Sequence, residues 1–190
     1  GLPGALLVDR EMELARLHQW FRDACQGQRH IVFITGEAGI GKTTLVDVFL
    51  TQIASLQPLQ MGRGQCIDHY GAGEAYLPLL EALGQIGQDA PGAQVIEVLR
   101  QHAPSWLLQL PALWSTHEVP MLQQRALGAT RERMLRALEE AVEILAHSRP
   151  VVLVLEDLHW SDVSTVDWLA YVARRRAPAR LLVLGTYRPI

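Results

Sequence analysis

Apolar residues gather along this chain in two alternating rhythms. Four short runs are apolar nearly throughout: Ile31–Thr35, Leu59–Cys66, Val151–Glu156 and Arg180–Thr186. Runs of this length, bounded by polar stretches, predict strands of a parallel sheet buried on both faces. The second is the weakest, because Gly62 and Gly64 interrupt it. Between the runs, apolar positions recur at helical spacing. Met12, Leu14, Leu17, Trp20 and Phe21 mark an amphipathic helix over 11–25, and Leu45, Val48, Phe49 and Ile53 mark another. A further helix is predicted between Ser161 and Arg175, with Ser161 as N-cap and Asp162 in the first turn.

The interval from Tyr76 to His147 holds no convincing strand, and Pro78, Pro91, Pro104, Pro111 and Pro120 divide it into short helices. Its last piece has Thr130 as cap and Met134, Leu135, Leu138, Ala141, Val142 and Leu145 on one face. Glu132 and Arg136 stand at i,i+4 spacing on the other side. Strands separated by helices predict an α/β three-layer sandwich with a mostly parallel sheet. The chain is expected to form a single domain over 1–190, with a helical insertion at about 76–147 layered on one side of the sheet.

Composition adds limits. The 190 residues suit one domain, and 49% hydrophobic against 19% charged residues is enough to build a core. A net charge of −3 gives no electrostatic footprint for nucleic acid or an anionic membrane, so no direct nucleic-acid contact is expected. The basic cluster Arg174-Arg175-Arg176 with Arg180 reads as a solvated helix end. Cys25 and Cys66 lack a C-x-x-C partner and read as reduced, buried thiols of a cytoplasmic protein. The histidines show no metal-ligand spacing. No run approaches the ~18 apolar residues of a membrane span. The apolar start Ala5-Leu6-Leu7-Val8 meets Asp9, Arg10 and Glu11 at once, unlike a signal peptide. Because the chain begins with Gly and stops after a strand, it is expected to be a piece of a longer protein.

Three stretches carry chemistry. Gly36-Glu37-Ala38-Gly39-Ile40-Gly41-Lys42-Thr43-Thr44 is a complete G-x-x-x-x-G-K-[ST] loop, placed between a predicted strand and a predicted helix. Glycines let backbone N–H groups face phosphate oxygens, and the helix N-terminus adds a positive dipole. Lys42 then reaches the β/γ-phosphates and the Thr43 hydroxyl ligates Mg²⁺. The second stretch, Val151 to Asp157, is an apolar strand ending in two carboxylates, the form of a Walker B strand. One acid holds Mg²⁺ opposite Thr43 and the other polarises a water for attack on the γ-phosphate. By position Glu156 is the metal-side acid and Asp157 the water-side acid, and the reverse assignment stays open. The third is Gly185-Thr186-Tyr187-Arg188. If this strand lies beside the loop strand, Thr186 and Arg188 stand near the γ-phosphate and report its presence. A carboxylate on a strand not next in sequence to the loop strand leaves room for such an intervening strand.

These stretches, with Val8-Asp9-Arg10-Glu11 upstream and the run Leu155-Glu156-Asp157-Leu158-His159-Trp160, resemble a known family. The chain is similar, over nearly its whole length, to the AAA-type ATPase module of STAND signal-transduction NTPases, as found in large LuxR-type transcriptional regulators. In that family the upstream element reads apolar-Gly-Arg-Glu and helps hold adenine, and here Asp9 replaces the glycine. The resemblance implies ATP (or ADP) and Mg²⁺ as ligands. It places Arg10 and Glu11 at the base, Gly36 to Thr44 on the phosphates, Thr43, Glu156 and Asp157 at the metal, and Arg188 as sensor. It further implies a slowly hydrolysing switch that acts on lid and output domains of the same chain, none of which lies in this stretch, with self-association on ATP binding. An AAA-type remodelling ATPase with sustained turnover, a small-molecule phosphotransferase and a non-hydrolysing nucleotide-binding scaffold are the rivals. His159 and Trp160 are expected to pack the start of the following helix, and Arg131 and Arg133 to lie solvated on a helix surface.

Overall fold

The computed structural model describes residues 10–68, 73–89 and 92–189. Four strands, β1 (His30–Thr35), β2 (Gln60–Gln65), β3 (Val151–Glu156) and β4 (Leu181–Tyr187), pair in parallel in the order β1-β4-β3-β2. The two central strands are buried along nearly their whole length, which is why they read as unbroken apolar runs. Their alternate residues divide the core. Val152, Val154, Leu182 and Leu184, with Val32, face helices α1 (Glu11–Cys25) and α2 (Lys42–Leu56) through Leu17, Phe21, Leu45, Phe49 and Ile53. Val151, Leu153, Leu155, Leu181 and Val183 face the opposite helical layer.

That second layer is built by α3 (Leu77–Gln88), α4 (Gly92–His102), the short α5 (Pro104–Leu107), α6 (Val119–Ala126) and α7 (Arg131–Ser148), joined by α8 (Val163–Arg174). Prolines stand in the first turns of α3, α5 and α6, where a missing N–H costs nothing. Trp106, fully buried, donates from its indole N–H to the Met134 carbonyl at 2.8 Å, which ties α5 to α7. Thr130 caps α7 by accepting from the Arg133 N–H. No ion pair joins Glu132 to Arg136 among the described residues; the pair on that end of α7 is Arg131 with Asp167. The predicted cap of α8 shifts by one residue. Asp162 caps it, accepting from the Thr165 N–H at 2.8 Å, and the same carboxylate accepts from the Tyr76 N–H at 3.1 Å. A carboxylate accepts such bonds better than a hydroxyl, and it joins the entrance of α3 to that of α8.

The glycines that weaken the second run have a packing cause. Helix α3 lies so close to β2 that a Cβ on Gly62 would fall inside the Ala82 carbonyl, and one on Gly64 inside the Pro78 carbonyl. Both obstacles are backbone, so no side chain can swing aside. Gly64→Ala is therefore expected to lower stability by about 1–3 kcal/mol, read as a reduced urea midpoint at unchanged slope. A variant as stable as the parent would show that α3 is free to lift off β2.

Of the arginine cluster, Arg174 and Arg176 are exposed at the end of α8, as expected, whereas Arg175 and Arg180 are held within the fold. Arg175 forks onto Glu143 at 2.8 and 2.9 Å, and Arg180 donates to the Ala146 and His147 carbonyls at the end of α7. Cys25 and Cys66 are free thiols; Cys66 is buried as expected, whereas Cys25 is only half-buried. Burial pushes the Cys66 thiol up to about 11. No described helix is long and apolar enough to cross a membrane.

Candidate functional site

The loop from Gly36 to Gly41 connects the C-terminal end of β1 to the first residue of α2. Gly39 and Gly41 hold left-handed φ values of 76° and 87°. A Cβ at either would meet open space, so the backbone conformation itself calls for glycine there. Gly41 is the N-cap of α2 and offers no side-chain acceptor, which leaves the first-turn N–H groups, those of Lys42, Thr43 and Thr44 included, for an anion. The Lys42 side chain folds back under the loop. Its Nζ donates to the Gly36 carbonyl at 2.5 Å and the Glu37 carbonyl at 2.8 Å. Glu37, Ala38, Gly39, Ile40 and Thr43 are exposed around it. Arg10, just ahead of α1, donates to the Ile40 carbonyl and pins the loop from outside, while Glu11 is exposed in the first turn of α1. Leu7, Val8 and Asp9 of the upstream element lie outside the described residues.

Across the sheet, β3 ends in Glu156 and Asp157. Glu156 continues the alternation of Val152 and Val154, so it stands on the α2 side of the sheet. Both its oxygens accept from Arg63 of β2, Oε2 from Nε at 2.7 Å and Oε1 from Nη2 at 2.9 Å. The third arm of Arg63 reaches Asp47 of α2 at 2.5 Å. These carboxylates, Glu156 first, hold the guanidinium proton more firmly than usual. Asp157 adopts a left-handed φ of 56° at the strand end. Its N–H donates to the Thr186 hydroxyl at 3.1 Å, and its Oδ2 accepts from Gln65 of β2. The short turn Leu158–Trp160 follows.

Because β4 runs between β1 and β3, its last residues stand between the loop and the two acids. Thr186 pairs in register with Ile34, and Tyr187 with Thr35 next to the loop. Thr186 is buried, whereas the Arg188 side chain is exposed. The Arg188 backbone N–H donates to His159 Nδ1 at 3.3 Å, so His159 braces the exit of β4. Trp160 does not pack as expected; it is 47% exposed. Arg131 and Arg133 are both exposed, as the sequence suggested, with Arg131 paired to Asp167.

Gly36 to Thr44, Glu156, Asp157 and Thr186 thus gather at the C-terminal ends of β1, β3 and β4. Sequence reasoning missed Asp47, Arg63 and Gln65. A signal existed: Met61, Arg63 and Gln65 alternate on one face of β2, which puts two polar side chains among the apolar contacts of α2. The donor set fits a hard divalent cation, since the Thr43 hydroxyl and the two carboxylates would offer it oxygen donors. Among the described residues no three His, Cys, Asp or Glu side chains gather into a self-contained metal centre.

The model of the AAA ATPase domain family matches residues 6–184. A curated relative, an uncharacterised protein of Rhizobium meliloti (strain 1021), is 29% identical over the whole of this chain. The chain spans only 19% of that relative's length. The loop at the head of α2, the paired acids on β3 and the strand between them are the parts expected of a nucleotide-binding P-loop fold, and the chain belongs to the AAA ATPase domain family.

Proposed function

We propose that this chain is the Mg-ATP-binding, slowly hydrolysing core of a nucleotide switch, working inside a larger signalling or transcription-regulating protein of the STAND type. The observation that carries the reading is β4, whose Thr186 sits between the phosphate loop on β1 and the acids on β3. In this reading Lys42 exchanges its loop carbonyls for β/γ-phosphate oxygens, and the N–H groups of Gly39 to Thr44 cradle the same phosphates. Thr43, Glu156 and Asp157 hold the cation directly or through water. When bound, Mg²⁺ neutralises charge on the β- and γ-oxygens. Asp157, turned out of the strand by its left-handed backbone, faces the attacking water and accepts its proton. Arg188 reports the γ-phosphate and Thr186 couples it to Asp157, so ATP and ADP would favour different arrangements of neighbouring domains. Arg10 and Glu11 lie beside the loop where the base would be held.

Slow turnover is favoured over a remodelling motor by one feature. Both acids already have partners within the fold, Glu156 in Arg63 and Asp157 in Gln65, so each must loosen or share a bond to act. Asp157→Asn is expected to lower hydrolysis by about a hundredfold while ATP affinity stays within a few-fold. Glu156→Gln is expected to weaken the Mg²⁺ dependence of binding instead. Single-turnover hydrolysis and calorimetric titration separate the two. Exchange of the two phenotypes would reverse the assignment of the acids, and no change in either variant would favour a scaffold. Hydrolysis per chain that rises steeply with protein concentration would favour the motor.

A further inference from the structure

We propose that Arg63 is a positioning residue that sets how tightly this site takes its divalent cation, by fixing the orientation of Glu156 and offsetting its charge. The inference rests on the nucleotide reading above and adds a residue that neither the loop motif nor the strand motif contains. Its basis is geometric. Arg63 and Glu156 form a planar fork with two bonds of 2.7 and 2.9 Å, and the remaining arm closes on Asp47 at 2.5 Å. Such a fork fixes a carboxylate in both direction and plane, which an ammonium on a flexible stem does not.

Asp47 connects this clamp to the cation. It follows Thr43 by one helical turn in α2, so the two side chains share a face of the helix. Arg63 therefore braces the α2 face bearing Thr43 against the end of β3 bearing Glu156, and its own side chain is only 29% exposed. The fork occupies one lone pair on each Glu156 oxygen. Glu156 is thereby held in place with a lone pair on each oxygen left for the cation or for its water. The charges decide the strength. Glu156 and Asp47 with one guanidinium present a single net negative charge, where without Arg63 they would present two.

The test measures the Mg²⁺ concentration that half-saturates binding of AMP-PNP, a non-hydrolysable ATP analogue, with melting temperature followed alongside. Arg63→Gln removes the positive charge and is expected to lower that concentration roughly three- to tenfold, while single-turnover hydrolysis of ATP slows about tenfold. Arg63→Lys keeps the charge and loses the fork. Its half-saturation is expected to stay within about twofold of the parent while hydrolysis falls as in Arg63→Gln. Asp47→Asn, at a side chain 53% exposed, removes one negative charge from the same triad and should move half-saturation upward, by about twofold. Unchanged Mg²⁺ dependence in Arg63→Gln, with only a lower melting temperature, would overturn the inference and leave Arg63 as a brace for β2. A rise in Arg63→Gln would overturn it equally. If Arg63→Gln does not fold, a downward or absent shift in Asp47→Asn overturns it. Absence of any Mg²⁺-dependent AMP-PNP binding by the parent chain would instead refute the nucleotide reading, and the inference with it.

Discussion

Replacing Lys42 with alanine is expected to remove measurable Mg-ATP binding, a loss of about a hundredfold or more in affinity. The ammonium is largely buried beneath the loop and donates to the Gly36 and Glu37 carbonyls, so it sits within reach of the β/γ-phosphates that the loop would cradle. A charge-assisted hydrogen bond contributes about 1.5–3 kcal/mol, and Lys42 offers at least two. At 1.4 kcal/mol per tenfold, their loss takes a micromolar site into the millimolar range. The backbone donors at the head of α2 would remain, but without the charge that selects a triphosphate. Melting curves give an independent reading. ATP at about 100 times its Kd should add ~2.7 kcal/mol to the parent chain. For a chain of this size that is roughly 5–10 °C, and the variant should show none of it. Parent-like affinity in the variant would remove the loop from the site, and a shift with GTP equal to that with ATP would remove the preference for adenine.

What the sequence revealed of this molecule, and what it concealed, follows from which atoms make each contact. Strands β3 and β4 were legible because burial on both faces keeps them apolar up to their C-terminal ends, where Glu156 and Thr186 stand. The loop was legible because left-handed backbone at Gly39 and Gly41 leaves little choice of residue. Strand β2 was the faintest of the four, since a helix resting its backbone on the strand removes side chains that would have advertised it. The N-cap of α8 was misplaced by one residue because Ser161 and Asp162 both suit the role, and the bond from the distant N–H of Tyr76 to Asp162 has no local signal. Arg63 was missed for a different reason. Its partners Glu156 and Asp47 lie on other elements, and no local spacing shows that a strand and a helix will bring them together. Long-range ion pairs were the least legible layer of this fold.

One such pair, at the N-terminal end of β1 and so at the opposite end of that strand from the loop, should carry much of the chain's stability. Arg29 donates to Glu139 and, at 2.9 Å, to Glu143 of α7, and its Nε donates to the Ala177 carbonyl at 2.8 Å. It thus joins β1, α7 and the segment after α8. Glu139 is fully buried, and its second oxygen meets no donor. Burial raises its carboxyl above the usual range, and the hydrogen bond from Arg29 opposes that rise. Arg29→Met removes the opposing group and leaves a buried acid unpaired, which is expected to cost about 3–5 kcal/mol at neutral pH. The pH dependence supplies the sign. With its folded pKa raised further above the unfolded value, Glu139 favours the folded state only when protonated. The loss should therefore be smallest at acidic pH and grow as pH rises through the interval between those two values. Adding Glu139→Gln to Arg29→Met removes the titrating group, so the double variant should recover part of the stability at pH 7 and lose that pH dependence. Urea denaturation of the parent, single and double variants between pH 5 and 8 measures all of this. An Arg29→Met defect that is constant across that range would mean that Arg29 acts through its packing and its bond to Ala177, and not through the charge of Glu139.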